Sequence, residues 1–170
     1  MDPYAVTSVP EEEPSIKPIP FGGWLILVGL GVVLSPIRLL IFLINTYPPI
    51  FTDGTWAEIA YPEGDSYILY WGPLLISELA INSIIVAGSF YLVYAYFKKL
   101  SIFPHCYAAI SSFSLLFVLV DAYFVSLIIP GIEMFDQETM TEILRVLVSL
   151  LIWVPYLYIS QRSKETFVCN

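Results

Sequence analysis

Arg38, Glu78, Asp121 and Arg145 are the residues of this chain whose type and setting could do chemistry. Each sits inside a long apolar run, where a charge is costly unless it is paired, hydrated or used. Two are basic and two acidic, so they could pair across a helical bundle, hold an anion or a zwitterion, or relay protons. Asn82, one helical turn beyond Glu78, adds a donor and an acceptor to the same face.

The runs that carry them fall near residues 21–44, 67–97, 106–129 and 140–160. About 20 apolar residues suffice to cross the roughly 30 Å hydrocarbon layer of a bilayer as a helix. The chain is 58% hydrophobic and 13% charged, far below the roughly 25% charge of soluble domains. This predicts an all-α integral membrane protein, an antiparallel bundle of four transmembrane helices over residues 21–160. Residues 1–20 read as an acidic, proline-rich tail unable to bury apolar area, and residues 161–170 as a short polar tail. The start lacks the basic stretch and immediate apolar core of a cleaved signal peptide, so the first span is expected in the mature protein.

Charge orients the bundle. Lys98 and Lys99 lie between spans two and three, Arg162 and Lys164 follow span four, and Lys17 precedes span one. The other two connections carry only acidic charge, from Asp53 to Asp65 and from Glu133 to Glu138. Basic residues in short loops stay inside, which predicts that both termini face the cytoplasm and both acidic loops face out. The connection 45–66, rich in Pro and Gly, reads as a solvated loop with Trp56, Ile59 and Tyr61 near the outer surface.

Each span carries one polar stripe at helical spacing. The stripes are Gly31, Ser35 and Arg38; Glu78, Asn82 and Ser89; Ser111, Ser114 and Asp121; and Glu142, Arg145 and Ser149. In lipid such stripes turn inward. Gly31 and Ser35 have the small-xxx-small spacing of a close helix contact, and Pro36 and Pro155 are expected to kink their helices. At about 1.5 Å per residue, Arg38, Glu78, Asp121 and Arg145 each lie roughly 22–28 Å from the cytoplasmic end of their span, near one layer. Two readings of that layer stand. In one the four are boundary residues that snorkel to the surface; in the other they are one charge-balanced outward cluster paired in chain order as Arg38–Glu78 and Asp121–Arg145.

Three stretches carry a family resemblance: GGWLILVGLGVVLSPIRLL over Gly22–Leu40, Glu78 and Asn82 followed by Phe97-Lys98-Lys99 and Phe103-Pro104, and IWVPYLYISQRSKETF over Ile152–Phe167. Together they resemble the bacterial membrane family known as domain of unknown function 2569. The resemblance implies a four-helix protein of the bacterial inner membrane and supplies no activity, substrate or catalytic residue. The positions that match the family's pattern are Trp24, Pro36, Arg38, Glu78, Asn82, Trp153, Pro155 and Tyr156. Ser163 stands where family members commonly carry valine.

An enzyme is the weakest class. No nucleophile–base pair, phosphate loop or metal-spaced cluster is visible, and His105 reads as an interfacial residue. A quinone-linked thiol oxidase would need outward cysteine pairs, whereas Cys106 and Cys169 fall on the cytoplasmic side. No cofactor is implied, and the charge of −8 argues against nucleic acid. The expected partners are the lipid bilayer and other membrane proteins or further copies of the chain. The leading expectation is a non-catalytic accessory or assembly subunit. The alternative is a small-solute or proton-coupled transporter, channel or ligand sensor built on the outward cluster.

Overall fold

The structure is a computed structural model that describes residues 18–129 and 131–169. The acidic tail expected over residues 1–20 lies outside the described residues except for Pro18, Ile19 and Pro20. Seven α-helices follow in order: α1 (Trp24–Thr52), α2 (Thr55–Ala60), α3 (Trp71–Phe97), α4 (Phe103–Ile128), α5 (Gln137–Val148), α6 (Val154–Ile159) and α7 (Gln161–Thr166). A π-helical turn, Ser149–Trp153, joins α5 to α6, so Gln137–Ile159 runs as one rod. That rod and α1, α3 and α4 are each long and apolar enough to cross a membrane. A helix satisfies all its mid-segment backbone groups internally, which is why such apolar sequences can sit in lipid at all.

Span limits differ from the sequence reading mainly at α1. The helix continues through Pro48 and Pro49 to Thr52 instead of stopping at Ile44. The two prolines remove the N–H groups that would bond the carbonyls of Ile44 and Asn45, and the helix runs less than one full turn beyond Pro49. Thr52 Oγ1 donates to Pro48 O at 3.0 Å, and the Asp53 N–H donates to Pro49 O at 2.9 Å. The connection read as a solvated loop therefore shrinks, and its centre folds as α2. Trp56 of α2 packs between Phe51 and Trp71, with ring centroids 5.1 and 6.0 Å away.

α1 packs on α3, α3 on α4, and α4 on the last rod. The start of α1 meets the end of α3, and Tyr47 near the end of α1 meets Asn82 in the first half of α3. One end of the bundle is closed by an aromatic core around Tyr96. Its hydroxyl donates to Leu25 O at 2.8 Å, and its ring stacks on Phe21 at 4.5 Å and approaches Phe103 and Phe167. Gly29 makes room on α1 for the Tyr96 side chain of α3. A Cβ added there would run into the Tyr96 ring and hydroxyl. Gly31 and Ser35 instead face open space, so the expected small-residue contact is replaced by the Gly29–Tyr96 one. Gly23, at φ 57°, starts α1 in a backbone conformation that suits glycine.

The segments flanking the long helices reinforce the same end of the bundle. Cys169 exchanges backbone hydrogen bonds with the α3–α4 turn: its N–H donates to Lys99 O at 3.1 Å and its carbonyl accepts from Ser101 N at 2.7 Å. Lys99 Nζ lies 5.0 Å from the centre of the Phe21 ring and donates to Ile19 O at 2.7 Å. The Arg162 guanidinium covers Gly22, filling the space a side chain there would need. Lys98, Lys99, Arg162 and Lys164 thus share this closed end.

Candidate functional site: a charged cavity in the open half

The opposite half of the bundle does not close. α1 and α5 are the two ends of the row of packed helices, and a cavity of about 1370 Å³ lies between them, α3 and α4. Its wall includes Arg38, Glu78, Asn82, Asp121 and Arg145, all five residues read from the sequence as a polar cluster. It also includes Glu142 and Ser149 of the fourth stripe and Gly31 and Ser35 of the first. Pocket walls of this kind, mostly apolar with a few convergent polar groups, are typical of ligand sites, whose volumes usually run to about 1,000 Å³.

The charges do not pair as chain order suggested. Arg38 Nη2 donates to Glu142 Oε1 at 2.7 Å, across the gap between α1 and α5. Arg145, one turn further along α5, donates to the other oxygen, Glu142 Oε2. One carboxylate thus bridges two guanidiniums. Arg38 does not pair with Glu78, and Arg145 does not pair with Asp121. The reason is topological: Arg38 reaches from α1 across the gap to α5, so the arginines of the two end helices share Glu142 and pair with no carboxylate of α3 or α4.

Glu78 and Asp121 lie on the other side of the cavity, within electrostatic reach of each other. Glu78 is also within hydrogen-bonding reach of the Tyr47 hydroxyl, which accepts from Asn82 Nδ2 at 3.3 Å. Tyr47 is nine residues beyond Arg38 on α1, which is about 13 Å along a helix axis. The single layer inferred from span lengths therefore resolves into two tiers. An acidic tier of Glu78 and Asp121, with Tyr47 and Asn82, lies toward the open end. An arginine tier of Arg38, Glu142 and Arg145 lies deeper.

A floor of hydroxyls lies below both. Ser149 Oγ is 2.7 Å from Tyr107 Oη and 3.2 Å from Ser111 Oγ. The π-helical turn positions this group. Pro155 has no N–H to offer, and the Val154 N–H reaches back five residues to Ser149 O. The disturbance expected at Pro155 thus takes the form of one extra residue in the turn before it, a common cause of functional irregularity in helices.

The rim is built by the start of α5. Asp136 caps that helix by accepting from Thr139 N at 2.7 Å. This bond holds its carboxyl below the ordinary aspartate range. Asp53, at the start of α2, is lowered first by the Thr55 hydroxyl and then by the Thr55 N–H, which donates to it at 2.9 Å.

Tyr47, Tyr107 and Glu142 complete the site beyond the five residues singled out. Glu142 and Arg145 are three apart, a spacing that ties a carboxylate to an arginine on one helix face. Tyr47 fell inside the stretch read as loop, and Tyr107, at the start of the third span, carried no signal that set it apart from the other aromatic residues. Cys106 and Cys169 are free thiols in the closed half, and His105 packs edge-on to Tyr158 at 5.3 Å, away from the cavity. Among the described residues no three His, Cys, Asp or Glu side chains gather to hold a metal ion.

A family profile described as protein of unknown function DUF2569 matches residues 18–168. The chain belongs to this family. The DUF2569 match spans both the aromatic closed end and the charged cavity, and so covers all four long helices. Among curated proteins and among solved structures nothing matches the chain. Within this DUF2569 chain the stretches GGWL and IWVPY…SxR meet in space: Trp24 lies 6.4 Å from Trp153, and Arg162 covers Gly22.

Proposed function

We propose that this DUF2569 protein is a non-catalytic, antiparallel four-span protein of the bacterial inner membrane that binds a small polar solute in an outward-facing cavity. Both termini face the cytoplasm in this reading, since Lys98, Lys99, Arg162 and Lys164 gather at the closed end. The observation that carries it is the cavity of about 1370 Å³ with ionisable groups from all four long helices on its wall. Charged groups at membrane depth are costly, and a hydrated cavity is the setting in which they are tolerated. A carrier, a channel component and a ligand sensor all share this site. The closed aromatic half separates the cavity from the cytoplasmic side, which favours a sensor or one state of a carrier over an open channel. An accessory role that uses the protein only as a scaffold has no need of so large a charged cavity.

The test is accessibility. With Cys106 and Cys169 replaced by serine, single cysteines are placed at Thr55, Ser114 and Gln161, and intact cells are treated with a membrane-impermeant thiol reagent. Thr55 and the cavity residue Ser114 should react, and Gln161 should not. Labelling at Gln161 with protection at Thr55 would invert the topology. Protection of Ser114 alone would remove the outward cavity.

A further inference from the structure

We infer that the cavity takes a zwitterionic amine: a single molecule with an ammonium group at the acidic tier and a carboxylate or phosphate at the arginine tier. The inference rests on the outward-cavity reading and names the chemistry of its ligand.

Three observations point there. First, neither tier is balanced. Two guanidiniums share one carboxylate in the deeper tier, which leaves one positive charge uncompensated. Glu78 and Asp121 sit together in the outer tier, and among the described residues neither forms an ion pair with a Lys or Arg. Charges at this depth are costly when left alone. A simple anion would balance only the deeper tier, and a simple cation only the outer one. A molecule carrying both signs balances both.

Second, the arginines retain binding capacity. The Arg38 and Arg145 side chains are 44% and 48% exposed although both contact Glu142. Each guanidinium has five donors, and Glu142 uses one from each in the contacts described. Both residues line the cavity, and their remaining donors suit the planar or tetrahedral oxygens of a carboxylate or phosphate. Glu142 already shows that one anionic group can sit between the two.

Third, the tiers have a defined order and spacing. The acidic groups, with the Tyr47 hydroxyl and the Asn82 side chain, line the outer part, and the arginines lie about two helical turns deeper. The wall around the arginines is apolar, with Leu34, Ile37 and Ile41 of α1 exposed beside Arg38. A ligand with an alkyl segment between or beyond its charges therefore meets a matching surface. The same chemistry is offered by a free amino-acid-like solute and by the head group of an aminophospholipid, which could enter through the gap between α1 and α5.

Binding by the purified full-length protein in detergent tests this, read by calorimetry and by the shift in melting temperature. The probes are glycine, aminobutanoate and aminohexanoate as zwitterions of increasing length. Glycerophosphoethanolamine and lysophosphatidylethanolamine represent the head-group source. Propylammonium, propanoate and inorganic phosphate carry one sign only. At least one zwitterion should bind about tenfold or more tightly than any single-sign probe, a difference of about 1.4 kcal/mol. Its affinity should fall at least about tenfold in Arg145→Gln and in Glu78→Gln. Tightest binding by aminohexanoate assigns the site to free solutes, and tightest binding by the lysolipid assigns it to lipid. Either result supports the inference. Asp121→Asn and Arg38→Lys serve as second variants wherever the first fail to fold. Single-sign probes binding as tightly as the zwitterions would overturn the inference while leaving the outward cavity intact. So would undiminished zwitterion binding in the variants. No binding by any zwitterion, with Ser114 still labelled from outside, would overturn it as well.

Discussion

The two halves of this molecule are built from the same four long helices and use them in opposite ways. In the closed half, large rings fill the space between the helices. Tyr96 alone touches Phe21, Phe103, Phe167, Leu25 and Gly29, and the segments that flank the long helices, from Ile19 and up to Cys169, pack at that same end. In the open half the same helices present small, hydroxylic and ionisable side chains and stay apart. In lipid, where tails are as apolar as leucine, helices hold together through close packing and interhelical hydrogen bonds. The closed half has both in quantity. The open half has the Arg38–Glu142 contact, the Asn82–Tyr47 bond and the Ser149 hydroxyl group. Close packing and ionisable groups are therefore separated along the bundle axis, and substitutions should reveal the division.

The largest effect should come from the closed half. Tyr96→Ala removes a buried ring from the centre of the cluster and should cost about 3 kcal/mol of stability in detergent, the usual range for losing a buried aromatic. Tyr96→Phe keeps the ring and loses only the bond to Leu25 O, which should cost about 1 kcal/mol. A Tyr96→Ala protein as stable as the parent would mean that the aromatic cluster does not hold the bundle together.

Next in size is a gain. The Ser163 hydroxyl is buried without a hydrogen-bond partner among the described residues. The residue itself is 1% exposed. It occupies the position where the DUF2569 resemblance implies valine. An orphaned buried hydroxyl costs about 1–3 kcal/mol, so Ser163→Ala or Ser163→Val should raise the melting temperature. A lower value for both would show that the site tolerates no apolar replacement.

In the open half the expected stability effects are smaller. A double-mutant cycle on Arg38→Ala and Glu142→Ala should show a coupling of about 0.5–1 kcal/mol, the scale of a half-exposed ion pair. The cycle on Arg38→Ala and Glu78→Ala should be additive. Coupling in the second cycle and none in the first would restore the pairing by chain order. The smallest effect belongs to the rim. Asp136 is held below its ordinary pKa by the Thr139 N–H, so its charged form stabilises the folded state. That contribution is present above the ordinary value of 3.8 and is lost as pH falls through the lower folded value. Asp136→Ala should lower the melting temperature slightly at neutral pH, and the gap to the parent should narrow in acid.

The helices were legible because hydrophobic length is a one-dimensional property: any run long enough to cross a bilayer shows itself. The residues of the cavity wall were legible too, since Arg38, Glu78, Asn82, Asp121 and Arg145 are conspicuous by cost. Their partners were not. Depth was counted from each span's own cytoplasmic end, as though all four started in one plane. Contacts such as Tyr47 with Asn82 instead set the relative heights, and they separate Arg38 from Glu78. Partner choice also depends on which helices become neighbours. The contact of α5 with α1 joins residues 104 apart in sequence, beyond the reach of a rule about consecutive helices. Tyr47 was hidden by Pro48 and Pro49, which signal a turn in most chains and here fall in the last turns of a helix that outlasts them.

The π-helical turn at Ser149–Trp153 sets the rotational phase of everything above it. An extra residue inserted into a helix turns the following segment by about 100°, a little more than a quarter revolution. α5 carries Glu142 and Arg145 on the far side of that turn from α6, whose Leu157 is anchored in the closed core. The aim of both charged side chains is thus decided by a single surplus peptide unit some distance away. Deleting one residue between Leu150 and Ile152 would take the surplus peptide unit out of the turn before Pro155. It would also swing Glu142 and Arg145 away from Arg38 and out of the cavity wall, without altering any residue that lines it.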